Sequence, residues 1–571
     1  MNRKLVFILS LLIFPLALFA DAKTNAETYG VLTLIPPFVA IALAFMTKNV
    51  IFSLFMGVFS GTFLINITGS NIFAAFYNAF VDLAGKMVGS MADSWNAGII
   101  LQVLTIGGLI AVITKMGGPK AIAEKLAKRA KTQRSAQIYT WIMGFFIFFD
   151  DYANSLIIGP IMRPVTDKLK VSREKLSFII DATAAPVAGI ALISTWIGYE
   201  ISLIKDAYAM IGQTDINAYA IFVETIPYRF YNILMLAFVF FTAYFLREFG
   251  PMHKAATRAI TTGEVHHADA KLLTSDDNAL LPTMEDDKLS IWNAIIPVMT
   301  LIFVAFFGFY FNGYHSLEGE ALKAAEAAPY SFATLRDTFG AADASIVLFQ
   351  AALFASIVAI GMGMKQKLFN LSEALETWVL GVKALVITAV ILILAWSISA
   401  VIKELGTSAY LVTLLSDATP QILLPSIIFI LGSIVSFATG TSYGTMGILM
   451  PLAIPIANAV GVHTGFEGAE LHNYIILNIS AVLTGAIFGD HCSPISDTSI
   501  LSSMGASCDH MDHIKTQLFY AIFVGTIAIV FGYIPAAMGY SMYIILPIAL
   551  IVTALVVRFY GKKVEVVNVT A

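Results

Sequence analysis

From Gly489 to Ser499 the chain reads Gly-Asp-His-Cys-Ser-Pro-Ile-Ser-Asp-Thr-Ser, with two carboxylates, an imidazole, a thiol and four hydroxyls. It follows a stretch, 471–489, that has no Asp, Glu, Lys or Arg. Polar groups at this density beside hydrocarbon are costly unless partnered, so they line a site or a pathway. The alternative is a polar loop just outside the bilayer. Gly489 and Pro494 break a helix locally and free carbonyl oxygens for ligation. Three other places carry related chemistry. Asp150 and Asp151 are adjacent, and Asn154 and Ser155 follow Asp151 on one helical face. Asp181 opens the run Asp181-Ala182-Thr183-Ala184-Ala185-Pro186, again an acid ahead of a helix-breaking proline. Thr439-Gly440-Thr441-Ser442-Tyr443-Gly444-Thr445 offers hydroxyls and glycines.

A carboxylate in a low-dielectric site holds its proton more tightly and can trade it for a cation. Hydroxyl and carbonyl oxygens are hard ligands suited to a small cation. The candidate cation and proton site is therefore Asp150, Asp151, Asn154, Asp181, Thr441, Ser442, Asp490, Ser493, Ser496 and Asp497. Structural roles compete at each position, since a lone aspartate caps helices and small residues permit close helix packing. His491, Cys492, Cys508, Asp509, His510, Asp512 and His513 could be read as a metal cluster. No Cys-x2-Cys occurs and the two cysteines lie sixteen apart, so capping and gating contacts are the expected role and no metal is expected. Neither the Tyr-Asp and Gly-x-Gly-Asp pair of aspartyl intramembrane proteases nor a Walker loop or His-Glu-x-x-His is present. A channel would not need titratable acids at broken helices. No enzyme and no cofactor are expected.

The elements that position these groups follow from composition. Of 571 residues, 58% are hydrophobic and 13% charged, with mean hydropathy +0.81. Soluble domains carry about 25% charged residues, so this is an integral membrane protein. The net charge of −4 and the lack of a basic patch exclude nucleic acid as a partner. Residues 1–22 have a basic start, an apolar run and Ala20-Asp21-Ala22, as in a signal peptide or an uncleaved first helix. Charge-free windows long enough to cross a bilayer, about 20 residues, recur near 30–47, 49–68, 95–114, 182–199, 230–246, 291–312, 344–364, 384–401 and 472–489. Two longer windows, 418–462 and 516–557, each hold two segments, giving about 12–13 in all. Trp196 and Glu200 would end the fourth span, Trp196 as an interfacial anchor.

Basic loops set the orientation. Seven Lys and Arg fall between 115 and 134, and five more (Arg163, Lys168, Lys170, Arg173, Lys175) between 163 and 175, so both loops face the cytoplasm. The segment between them, 135–162, must enter and return. The simplest form is a helical hairpin with Asp150 and Asp151 at its tip; two short tilted spans are the alternative. The chain then divides into a first half, 30–246, a cytoplasmic linker, 247–289, a second half, 290–558, and a cytoplasmic tail, 559–571.

Short matches link the halves. Ala111-Val112-Ile113-x3-Gly117 recurs as Ala400-Val401-Ile402-x3-Gly406, and Tyr152-x7-Pro160-x3-Pro164 recurs as Tyr443-x7-Pro451-x3-Pro455. The first motif exits to the cytoplasm and its copy to the outside. The fold class expected is thus an all-α polytopic membrane protein with two inverted-topology repeats, each with a re-entrant helical hairpin.

Phe149-Asp150-Asp151-Tyr152-Ala153-Asn154, Asp181 with Pro186, Gly440-Thr441-Ser442, Cys508-Asp509-His510-x-Asp512-His513 and above all the block 489–498 resemble the NhaC-type Na+/H+ antiporter family. The resemblance covers most of the chain from about residue 30. It implies a carrier exchanging Na+ for H+ across a bacterial inner membrane, the ions being substrates. A small carboxylate is a second candidate substrate, since related carriers exchange malate and lactate. The implied partners are small ions and the lipid bilayer, and the sequence leaves room for a homodimer.

Overall fold

The computed structural model describes residues 28–564 except 48, 68–70, 149–150, 193, 195, 273–288, 408–409 and 411–419. The leader, Asp150 and most of the tail lie outside the described residues. Within them the chain is helical almost throughout, with one two-residue antiparallel strand pair, Arg247–Glu248 against Lys562–Lys563. Eight helices are long and apolar enough to cross a membrane, and Ala218–Tyr228 with Phe230–Phe245, bent by 46°, would make a ninth. The segments that bring the expected number to 12–13 include shorter apolar helices, Gly30–Leu43, Ile51–Ile67 and Leu424–Thr439. This is an all-helical, multi-pass membrane protein. Its layers differ by burial: Ser94–Lys115 is 83% buried, whereas Trp292–Ser316 is 28% buried and turns Phe303, Phe307 and Phe311 outward, as a lipid-facing helix does.

Glycines let the inner helices meet backbone to backbone. A Cβ on Gly107 of Ser94–Lys115 would stand 2.7 Å from the carbonyl oxygen of Gly381 on Leu371–Ala384. A Cβ on Gly57 of Val50–Ile67 would stand 2.8 Å from Ile398 of Val386–Leu405. Two inner helices before the linker thus pack against two after it. Both motif glycines end their helices in the left-handed region, Gly117 at φ 70° and Gly406 at φ 71°, a conformation that favours glycine.

Two helix pairs break in the interior. Gln133–Phe146 gives way to Asp151–Lys168, and Leu424–Thr439 gives way to Ser442–Thr464; the second helix of each pair carries two prolines, Pro160 and Pro164 or Pro451 and Pro455. The outer ends of the first pair meet, since Gln133 Nε2 donates to Leu169 O at 2.9 Å. In the second pair Tyr474 donates to Gln421 O at 2.8 Å and packs beside Gly461. The helices that follow, Arg173–Ala188 and Gly468–Cys492, run antiparallel. Asp181 and His491 share Gln517 as a partner, while Gly189 and Ser480 are joined through Arg229 and Thr225. The two pairs therefore open at opposite ends of the bundle.

Three sequence expectations change. The window 182–199 is not one span: Arg173–Ala188 ends, and Ile197–Met210 begins a separate helix. Trp196 and Glu200 are not interfacial. Trp196 is buried against Tyr443, ring centroids 5.1 Å apart, and Glu200 is wholly buried in an ion pair with Arg229 at 2.6 Å. Lys175 is not a loop cation but a buried helical residue, paired with Glu248 at 2.8 Å and donating to Thr242. In each case the local charge pattern gave no sign of a partner far along the chain.

Two consequences can be measured. A Cβ on Gly159 would collide with the backbone of Gly505, and overpacking of this kind costs about 1–3 kcal/mol. Gly159→Val should lower the thermal unfolding midpoint in detergent, whereas Gly85→Ala, at a site with nothing within 4 Å, should not. Lys175→Met strands a buried carboxylate, which costs about 3–5 kcal/mol. The double change Lys175→Met with Glu248→Gln should recover most of that loss in the same assay.

Candidate functional site

Asp490 lies in the last turn of Gly468–Cys492 and is almost fully buried. The break at 440–441 aims the start of Ser442–Thr464 at it. Ser442 donates to Oδ2 through both Oγ, at 2.7 Å, and its backbone N–H, at 3.2 Å. The second break, 493–496, delivers Ser496, whose Oγ donates to Oδ1 at 2.7 Å and lies 2.8 Å from Thr498 Oγ1. Gly440, at φ 69°, permits the approach: a Cβ there would stand 2.8 Å from Ile495 O. A helix N-terminus pointing at a carboxylate is electrostatically favourable. What results is an enclosed cluster of oxygens (Asp490, Ser442, Ser496, Thr498) drawn from two chain breaks, a donor set suited to a small hard cation. Thr441 is the N-cap residue of Ser442–Thr464, and its carbonyl accepts from Ser436 and Thr445. Ser493 instead donates to Phe437 O at 2.8 Å and ties the two breaks together.

Gly440-Thr441-Ser442-Tyr443-Gly444 also has the Gly-x-Ser-x-Gly spacing of a hydrolase nucleophile. Here the serine follows a helix, not a strand, and its Oγ bonds a carboxylate and Ala486 O rather than an imidazole, so the hydrolase arrangement is absent from this serine.

Asp181 forms a second centre. It is wholly buried, and its Oδ2 accepts from Ser499 Oγ at 2.8 Å, Gln517 Nε2 at 2.6 Å and His513 Nε2 at 3.1 Å. Asn154 does not join it; its amide donates to Gly144 O and Thr183 O, where it ties Asp151–Lys168 to the neighbouring helices. Asp151 is buried as the first residue of its helix. That helix packs on Asp497–Ala506, with Ser155 against Ser502 and Gly159 against Gly505. The register is parallel and places Asp151 at the level of Thr498. Asp150 and the side chain of Asp497 lie outside the described residues.

The residues of the possible metal cluster do not gather into one group, and Asp512 lies instead with Glu174 and His267, their ligand atoms within 4.8 Å of one another. His491 bonds Tyr231 at 2.9 Å, His510 bonds Ser503 and Pro494 O, and both cysteines are buried free thiols. Asp509 caps His510–Ala528. Burial alone would raise its carboxyl, but N–H bonds from Lys271, Asp512 and Met511 hold it below the usual range. Gln517, Ser499 and Thr498 are site residues absent from the sequence-derived set. The spacing His513-x3-Gln517 puts two polar groups on one helical face and was the available signal for Gln517.

Comparison with known proteins bears on this geometry. The family model described as "Na+/H+ antiporter family" matches residues 5–191 and 187–535. An uncharacterized protein of Haemophilus influenzae is 33% identical over 513 residues, 90% of this chain and 92% of its own. The malate-2H(+)/Na(+)-lactate antiporter of Bacillus subtilis is 36% identical over 93 residues, 16% of this chain and 18% of its own. Among solved structures, the Alcanivorax borkumensis YdaH transporter aligns with a TM-score of 0.51 at 12% identity, covering 82% of this chain and 90% of that one, which is a likeness of fold.

Proposed function

The chain belongs to the Na+/H+ antiporter family, and from that premise we propose that it exchanges Na+ for H+ by alternating access across a bacterial inner membrane. The observation that carries the reading is the enclosed oxygen cluster at Asp490, Ser442, Ser496 and Thr498, held between two broken helices. Na+ is the fitting occupant. The cluster offers one carboxylate charge and several hydroxyl oxygens, and it lacks the nitrogen and sulfur ligands that favour transition metals. A hydroxyl that donates to Asp490 can rotate and present a lone pair to an arriving ion, so the same side chains satisfy both the filled and the empty site. In this reading Asp151, at the start of its helix, completes the acidic set together with Asp150 and Asp497.

The paired helix breaks that open at opposite ends support inverted repeats with re-entrant hairpins as the moving parts. In this reading the basic loops and Arg558, Lys562 and Lys563 put the C-terminus in the cytoplasm.

A second reading, Na+-coupled exchange of a small carboxylate, is favoured by the malate/lactate relative. A cavity of about 360 Å³ is lined by Lys86, Lys205 and Lys403, by Trp95 and Trp396, and also by Asp93 and Asp206, with Lys86 paired to Glu404. Lys205 Nζ there lies 3.7 Å from the centre of the Trp95 ring.

In proteoliposomes an imposed Na+ gradient should change internal pH, read by a trapped dye. Asp490→Asn should abolish that change. Ser496→Ala removes one oxygen worth about 1 kcal/mol, and should raise the Na+ concentration for half-maximal rate about fivefold. Wild-type vesicles that show no Na+-dependent pH change but accumulate labelled malate or lactate in a Na+ gradient would transfer the assignment to the second reading.

A further inference from the structure

Resting on the antiport reading, we propose that the proton is carried by the Asp181–His513 pair, a site separate from the Asp490 cluster, so that cation and proton occupy different carboxylates. Both residues of the pair are fully buried, with Nε2 of His513 3.1 Å from Oδ2 of Asp181. The bonding around this carboxylate is lopsided. Oδ2 collects Ser499, Gln517 and His513, while Oδ1, Gln517 Oε1 and His513 Nδ1 have no partner among the described residues. Three donors already occupy Oδ2, so the positions of the pair still open to a proton are Oδ1 of Asp181 and Nδ1 of His513. With its Nε2–H committed to Asp181, a neutral His513 keeps a bare lone pair at Nδ1. Loading forms one N–H bond at Nδ1 and produces an imidazolium beside a carboxylate; release breaks that same bond.

Most other ionisable groups around the pair have partners; the exception is Nε2 of His491, which is buried with none among the described residues. Tyr231 bonds His491 Nδ1, the Cys492 thiol donates to Phe488 O, and Lys175, lower on the same helix as Asp181, pairs with Glu248, which also accepts from Tyr520. Histidine is thus the one ionisable side chain bonded to Asp181 among the described residues. Its helix begins at the basic end of the bundle, where Arg173 donates to Ser507 O and Asp509 accepts from the Lys271 N–H.

One helical turn joins the two sites. Ser496 caps Asp497–Ala506 and donates to Asp490, and Ser499, in the first turn of that helix, donates to Asp181. On the neighbouring helix, His491 O accepts from Ser499 and Gln517, one residue after Asp490. An ion that turns the Ser496 hydroxyl away from Asp490 therefore acts on the same turn that holds Ser499 on Asp181.

The test separates Na+ movement from proton movement. His513→Gln keeps an N–H donor for Asp181 and removes the titratable ring. Purified wild type, His513→Gln and Asp181→Asn would be compared in proteoliposomes by ²²Na+ counterflow without a pH gradient and by Na+-driven change of internal pH. Both variants should lose Na+-driven proton flux by at least about tenfold while counterflow falls less than about threefold. Parallel loss of both activities, or proton flux that persists in His513→Gln, overturns the separate proton site and returns both ions to Asp490. Absence of both activities in the wild type overturns the antiport reading, and this proposal with it.

Discussion

A carboxylate enclosed away from water must be met by donors or by a cation, and the architecture around Asp490 is organised by that demand. An unbroken helix has already spent its N–H groups on its own turns. Supplying Asp490 therefore needs a helix start inside the protein, and the chain makes one by stopping at Gly440 and beginning again at Ser442. A second start, after the turn at 493–496, supplies Ser496. Both interruptions would be costly in hydrocarbon, since freed backbone groups have no water to turn to. They are tolerated because each lies against the other: Ser493 closes on Phe437 O and Ser436 on Ala486 O, at 2.8 and 2.5 Å. The site and the breaks justify one another.

Much of this was legible in the sequence because its signals are local. The block 489–499 announces itself by the density of polar groups after an apolar run, and proline with glycine marks the breaks. The hydroxyls at 441–442 were recognisable for the same reason. What stayed hidden depends on partners far along the chain. Nothing near Lys175 indicates Glu248, nothing near Glu200 indicates Arg229, and Gln517 meets Asp181 across 336 positions. Sequence alone therefore reads Lys175 as a loop cation and leaves the place of Glu200 open. It also gathers the acids into one site, whereas Asp181 and Asp490 sit in separate hydrogen-bond shells. Helix periodicity fixes which face a residue occupies but not what faces it.

The buried ion pairs have a related logic. Arg229 stands at the bend between Ala218–Tyr228 and Phe230–Phe245, where an interrupted helix leaves its backbone short of partners. It reaches the Gly189 carbonyl, Thr225 and Glu200 together. A guanidinium suits this work because its planar fork serves several acceptors at once. Lys175 and Glu248 play the corresponding part at the other end, tying the Asp181 helix to the strand pair beside the C-terminus. The helix that carries Asp181 is thus pinned near both of its ends, while its centre faces the polar turn at Ser499.

The hydroxyls around Asp490 carry a kinetic implication. Side-chain reorientation of this kind takes picoseconds to nanoseconds, whereas helices and domains rearrange in microseconds to milliseconds. If a rotating Ser442 or Ser496 hydroxyl is all the pocket needs to change from donor to ligand, occupancy re-equilibrates many thousands of times during one slow rearrangement. Under the proposed alternating access, the carrier would then behave as two rapid local equilibria, one at each face, linked by a single slow exchange. Its turnover would follow the stiffness of the glycine-packed inner helices rather than the speed at which an ion is captured.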